Sequence, residues 1–311
     1  MHETMEDAEQ ETLRMLDIYA DFCEKSLAIP VLKGRKTNKE KFAGAVATYT
    51  IEAMMHDGKA LQSGTSHYFG DGFSRAFDVK FQGRDNTQQY PHQTSWGMST
   101  RIIGAIIMTH GDDSGLVLPP DIAPIQLVII PVAQHKEGVL EAAEALKARL
   151  SQNWRVKLDA TDNSAGWKYA EYEVKGVPLR LEIGPKDIEA GQCVLVRRDT
   201  RQKYFVPLTE LEQKIPEILA EYRQALYEKA AANRQNRTFT AAALEDMRTC
   251  CEQQSGYVKA MWCGEEACEL KLKEDCGVTS RCIPFEQEQI ASTCICCGKP
   301  AKSMVVWGKA Y

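Results

Sequence analysis

Residues 60–101 gather small residues, hydroxyls, a histidine, a tryptophan and an arginine, in ALQSGTSHYFGDGFSRAFDVKF and then YPHQTSWGMSTR. These types suit a small polar ligand, with hydroxyls and amides to hydrogen-bond it, an aromatic wall for an apolar part and a permanent cation for an anionic one. A second concentration lies near the other end. Cys263 and Cys268 have C-x4-C spacing, and Cys294 and Cys297 have C-x2-C spacing followed by a glycine that lets backbone amides turn toward sulfur. Two such corners can supply four thiolates to one tetrahedral zinc, with Cys296 competing with Cys297 for the last place. Four protein ligands leave no open position, so the expected role of the metal is folding, not catalysis. Cys250, Cys251, Cys276 and Cys282 read as packing thiols.

The background is that of an ordinary globular protein, 44% hydrophobic and 26% charged over 311 residues, with room for two domains and an appendage. Nine of the eleven cysteines lie at or after Cys250, and the acidic start MHETMEDAEQ is not a secretion signal, so metal is expected rather than disulfides. No apolar run approaches the roughly 18 residues of a membrane span, and a cytoplasmic location is expected. The net charge of -5 requires any nucleic-acid partner to be held by a local basic patch.

Leu13, Leu16, Ala20, Cys23 and Leu27 keep helical spacing over residues 6–27. A short strand is expected at 29–32. Alternation at 47–55 suggests a half-buried strand, and Phe73, Phe77, Val79 and Phe81 suggest another strand of the same, mainly antiparallel sheet. Residues 100–108 read as a helix or buried segment. After LPPDIAP the order alternates, with strands at 125–132, 156–158, 178–183 and 193–196 and helices at 138–150 and 166–174, which implies a small α/β domain with a mixed sheet. A long helix over 208–234 leads to the cysteine-rich tail.

In this order, ALQSGTSHYFGDGFSRAFDVKF, SWGMSTR, THGDDSGLVLPP, GWKYAEYEVKGVPLRLEIGPKDIE and WCGEEAC with CICCGKPAK look like successive landmarks of a prolyl-tRNA synthetase of the archaeal and eukaryotic type. The resemblance covers nearly the whole chain. It implies the C-terminal part of a class II synthetase catalytic domain at 1–122, an anticodon-binding domain at 123–232 and a zinc-binding domain at 233–311. The implied function is proline–tRNA ligase: ATP-dependent activation of proline to prolyl-adenylate with Mg, then transfer to tRNA(Pro), in a homodimer.

By that resemblance Gln62, Thr65 and Ser99 are ATP-binding positions and Arg101 is the motif 3 arginine, able to stack on adenine and face phosphate. His67 and Trp96 would line the proline site and Gly97 would allow close backbone approach. Such chemistry needs no covalent protein nucleophile, because alignment and charge neutralisation can carry it. For tRNA the candidates are Trp167, Lys168, Glu182 and the basic set Lys186, Arg197, Arg198 and Arg201. Tyr311 is a candidate for approach to the active site. Asp121 stands where the family has arginine.

Motifs 1 and 2 of a complete member would precede residue 1, so this chain is expected to carry only part of the active site and to be inactive alone. One preorganised transition-state donor is typically worth about 3 kcal/mol. The alternative reading is a non-catalytic tRNA-binding module made of the anticodon domain and the zinc tail.

Overall fold

The computed structural model describes residues 1–311. Its first helix, α1 (Met5–Asp21), starts where the Thr4 hydroxyl accepts the Asp7 N–H at 3.1 Å, with Glu6 and Asp7 in the first turn. The buried stripe is Ala8, Thr12, Leu16 and Ala20, spaced by four. Leu13, expected on that face, is 37% exposed. Strands β1 (Val31–Arg35), β2 (Ala47–Met54) and β3 (Ala60–Gly70) then form an antiparallel meander. β2 is buried on both faces rather than half-buried, because α1 covers one face and polar side chains pack against the other.

The strand expected across Phe73–Phe81 is not there. Phe73 and Phe77 are four apart, and the chain forms a short helix, α2 (Gly72–Ala76), after Gly70 turns the backbone at a φ of +62°. Only β4 (Phe81–Gln82) and β5 (Gln88–Gln89) follow, as a separate two-stranded ribbon. β6 (Gln93–Gly97) returns beside β3, and α3 (Arg101–His110) opens on the predicted arginine.

The alternating region forms its own sheet. β7 (Leu127–Pro131), buried throughout, is followed by α4 (Val139–Leu150), β8 (Val156–Leu158), α5 (Ala165–Val174), β9 (Leu179–Ile183), α6 (Pro185–Glu189), β10 (Gln192–Arg197) and β11 (Lys203–Pro207). The order is β11-β10-β9-β7-β8, with β7 parallel to both neighbours and β10 antiparallel to both of its own. This is the mixed sheet expected from sequence. Leu127, Ile129, Leu146, Leu181, Leu195 and Ile215 are among its core residues, the last from the long helix α7 (Leu211–Asn236).

The tail adds β12 (Thr238–Thr240), α8 (Leu244–Gln253), β13 (Tyr257–Trp262), α9 (Glu266–Cys276), β14 (Thr279–Pro284) and β15 (Ser303–Gly308). Its strands do not form a sheet of their own. The order β12-β13-β15-β14-β1-β2-β3-β6 is one continuous sheet, joined where β14 pairs antiparallel with β1 through Gly34–Pro284 and Arg35–Ile283. A Cβ at Gly34 would lie 2.5 Å from the Ile283 carbonyl oxygen, so only glycine lets these backbones meet. The chain thus makes two compact units, one of residues 1–24, 29–105 and 231–311 and the other of 25–28 and 106–230. Cys250, Cys251, Cys276 and Cys282 are packed in the hydrophobic cores of the tail, as expected.

Two buried acids seal that joint. Glu52 is fully buried, with Lys36 Nζ donating to Oε1 at 2.7 Å and Arg281 Nε and Nη2 to Oε2 at 3.1 and 2.9 Å. Glu269 is buried beside it, accepting from Thr37 Oγ1 at 2.9 Å and Ser280 Oγ at 2.5 Å.

Candidate functional site

The register of β3 decides which side chains share a face. Ile51 stands opposite Gly64 but Glu52 opposite Gln62, which leaves Ser63 as an inserted residue. One inserted residue moves all later side chains to the other face. Without the bulge Gln62 would share its face with Ser66 and Tyr68. With it, Gln62 shares one with Thr65, His67 and Phe69, and those four are the partly exposed positions of β3.

On the neighbouring strand Gly97 lies opposite Thr65 and Ser95 opposite His67. A Cβ added at Gly97 would meet no atom within 4 Å, so the space beside Thr65 is open to a ligand. The exposed Arg101 reaches across, its Nη1 donating to the Gln62 carbonyl at 3.3 Å while its backbone N–H donates to Ser99 Oγ at 3.3 Å. Gln62, Thr65, Ser99 and Arg101 are thus brought together.

His67 Nδ1 is 3.0 Å from Thr48 Oγ1, which itself accepts the Phe42 N–H at 3.0 Å. That engagement leaves Nε2 as the ring nitrogen available to a ligand. Burial pulls the imidazole pKa below its ordinary value, so the ring is neutral near pH 7. Phe42 packs on His67 with ring centroids 5.0 Å apart, and Phe69 lies 5.7 Å from Phe42 and 5.9 Å from His67. The three rings make a wall beside a hydrogen-bonding nitrogen. Sequence reasoning missed Phe42, whose one signal was a large aromatic alone at the end of the polar run KGRKTNKEK.

Trp96 is not part of that wall. It pairs with Ser66, whose Oγ donates to the Thr12 carbonyl of α1 at 2.7 Å. Directly opposed residues of an antiparallel pair project from the same face, so Trp96 lies on the α1 side and His67 on the other. Tyr311 does not reach His67 either; its hydroxyl donates to Asp57 Oδ2 at 2.5 Å and Lys59 Nζ sits 4.6 Å from its ring centre.

In the α/β unit the basic candidates separate into two groups. Arg197 is buried and bidentate to Asp199 at 3.0 and 2.7 Å, and Arg198 is buried and bidentate to Asp112 at 2.8 and 2.6 Å. The Arg198 guanidinium holds the Asp112 carboxyl down at about 2. Glu182 is buried and accepts from Arg180 Nε at 2.8 Å, and exposed Arg201 donates to Ser114 Oγ at 2.6 Å. These groups are occupied within the fold. Trp167, 51% exposed in the first turn of α5, and Lys186, exposed in α6, remain turned to solvent.

Beside Trp167 the Ser164 cap accepts the Trp167 N–H at 3.3 Å and borders a cavity of about 280 Å³ lined by Pro131, Gln134, His135, Asn163 and Lys168 as well. Lys168 is buried at its floor, donating to Asp159 O at 2.9 Å and Gln134 Oε1 at 3.2 Å. The cavity lies at the C-terminal ends of parallel strands and the N-terminus of a helix, where α/β sheets hold ligands.

The four predicted cysteines meet. The sulfurs of Cys263, Cys268, Cys294 and Cys297 all lie within 4.8 Å of one another, with Cys263–Cys268 and Cys263–Cys297 both at 3.7 Å. Four sulfurs around zinc at about 2.3 Å stand about 3.8 Å apart, so the donor set fits a tetrahedral ion. Cys294 N–H donates to Lys299 O at 2.8 Å and Gly298, at a φ of +71°, closes the second corner. Cys297, exposed and accepting the Lys299 N–H, is pulled down to about 7, whereas burial raises Cys263 and Cys268. A bound cation reverses that burial effect, because coordination deprotonates a thiol. Cys296 points away, its Sγ donating to the Cys268 carbonyl at 3.5 Å, which leaves Cys297 as the fourth ligand.

Two family models and several curated proteins match the chain. A family described as "Prolyl-tRNA synthetase, C-terminal" matches residues 244–311, and one described as "Anticodon binding domain" matches residues 126–218. The chain is 62% identical to a proline–tRNA ligase of Clostridium novyi and 63% identical to one of Ruminiclostridium cellulolyticum, over 310 residues in each case. It is 61% identical over 311 residues to proline–tRNA ligase 2 of Bacillus cereus. In all three the match takes in the whole of this chain and 65% of the relative. The chain is therefore a close homologue, along its entire length, of proteins named proline–tRNA ligase, and it spans 65% of the length of the relatives it matches.

Proposed function

We propose that this chain serves a proline–tRNA ligase, with the open face of β3 and β6 as the proline and adenine part of an active site. The observation that carries the reading is the bulge at Ser63, which sets Gln62, Thr65 and His67 on one face with Arg101 beside them. In the reaction the proline carboxylate attacks the α-phosphorus of ATP and pyrophosphate leaves. The residues here bind and align. Neutral His67 offers Nε2 to the substrate amine or carboxylate while Phe42 and Phe69 flank the apolar ring, and Gln62, Thr65, Ser99 and Arg101 hold the nucleotide.

Magnesium, which ATP chemistry implies, finds no free carboxylate on these strands. Glu52, the one acid in β1, β2, β3 and β6, is engaged by Lys36 and Arg281, so no step is assigned to a metal here. Zinc held by Cys263, Cys268, Cys294 and Cys297 is structural in this reading, supplying folding energy to the tail. A cytoplasmic homodimer and the three functional regions 1–122, 123–232 and 233–311 complete the proposal.

In the anticodon-binding region, exposed Trp167 in the first turn of α5 offers a stacking surface, and Lys186 offers a cation for phosphate. Trp167→Ala is expected to weaken binding of tRNA(Pro) by about 1–3 kcal/mol, the usual worth of one base stack. Filter binding at fixed salt reads this. Unchanged affinity in Trp167→Ala together with Lys186→Gln would remove this surface from the interface.

A further inference from the structure

We propose that the two buried acids Glu52 and Glu269 make the cysteine-rich tail a positioning device for the aromatic wall at His67. The proposal rests on the reading of that wall as the amino-acid side of the site only for its effect on proline; the mechanical part stands on contacts alone.

The joint is built from two consecutive residues on each side. Lys36 and Thr37, just beyond β1, each donate to one of the acids, at 2.7 and 2.9 Å. Ser280 and Arg281, consecutive in β14, donate to the same two, Ser280 to Glu269 and Arg281 to Glu52. Lys36 Nζ also donates to the Arg281 carbonyl at 2.8 Å, and Thr37 Oγ1 lies 3.2 Å from Ser280 Oγ. All six residues are buried. A chain gripped this way at two adjacent residues has little freedom to slide or rotate.

What is gripped leads straight to the wall. The Thr37 carbonyl accepts the Glu40 and Lys41 N–H groups at 3.2 and 2.9 Å, a tight turn whose next residue is Phe42. Phe42 donates its own N–H to Thr48 Oγ1, the atom that engages His67 Nδ1, and lays its ring on the imidazole. On the tail side Glu269 directly follows Cys268 in the first turn of α9, where unpaired amides favour a carboxylate. A path of hydrogen bonds and one tight turn therefore runs from the cysteine cluster through Glu269 and Thr37 to Phe42.

The test places 4-fluorophenylalanine at position 42 and follows its fluorine resonance, with proline and ATP affinities measured by calorimetry and metal content and melting temperature as controls. Thr37→Val removes both the donor to Glu269 and the acceptor of the Glu40 N–H at 3.4 Å, at constant shape, and leaves the Lys36–Glu52 contact in place, while Glu269→Leu removes the tail's side of the contact alone. Thr37→Val is expected to shift or broaden the resonance and to weaken proline about tenfold, with ATP affinity held within about twofold. Glu269→Gln keeps an acceptor and is expected to stay near the unsubstituted protein. A resonance unmoved by both Thr37→Val and Glu269→Leu, with both variants folded, overturns the positioning role. A resonance that moves in a protein with no affinity for proline upholds the joint and overturns the amino-acid reading of the wall.

Discussion

With zinc at Cys263, Cys268, Cys294 and Cys297 as proposed, chelation, or replacement of Cys263 and Cys297 together by serine, is expected to unfold the tail. Structural zinc sites contribute roughly 10–16 kcal/mol in small modules, as much as the whole stability of an ordinary domain. The buried cluster of the tail includes Cys263, Cys268 and Cys294 themselves, so loss of such an ion would open that core from within. Because β14 pairs with β1, the disorder should spread to the edge of β1 left behind. Metal content by plasma mass spectrometry, with hydrogen exchange of the amides in β13, β14, β15 and β1, measures both effects. Full protection in a metal-free protein would show that the four thiols are packing groups like Cys251 and Cys276.

The second large effect belongs to Glu52. Replacing it by glutamine leaves Lys36 and Arg281 as two buried cations without a counter-charge, and breaking a buried pair this way costs about 3–5 kcal/mol. Arg281→Met is expected to cost less, since Glu52 keeps Lys36 at 2.7 Å and the Thr50 hydroxyl at 3.0 Å. Replacing all three by apolar residues of similar volume should recover part of the loss, because no charge then remains buried. Urea unfolding of the four proteins gives the order. If Glu52→Gln unfolds at the same urea concentration as the unsubstituted protein, the acid is not holding the joint.

The sequence was most readable where periodicity is local. The apolar run that became β7 and the buried stripes of α4 and α7 needed only neighbours to declare them. The cysteine corners were readable because C-x4-C and C-x2-C spacings are those that can bring four thiols to one point, as they do here. Three features were not. The bulge at Ser63 depends on how β2 meets β3, and no pattern within ALQSGTSH marks it. The join of β1 to β14 pairs residues about 250 apart, far beyond any periodic signal. Arg197 and Arg198 read as a basic surface because charge type says nothing of partners, yet Asp199 and Asp112 bind them internally. Trp96 illustrates the same limit, since its residue type suited the proline wall while its register placed it on the far face.

If the Ser63 bulge assembles a proline and adenine face around His67 and Arg101, the sulfamoyl analogue of prolyl-adenylate should bind there. Calorimetric titration of the chain with the prolyl and alanyl forms should show a preference for the prolyl form of about 10-fold or more, the worth of one or two well-packed methylenes. His67→Ala should abolish the preference while sparing most of the adenosine contribution, Arg101→Ala should weaken both forms, and Trp96→Ala should leave the preference intact. Equal affinity for the two analogues in the unsubstituted chain, or a preference lost in Trp96→Ala and kept in His67→Ala, would contradict the account.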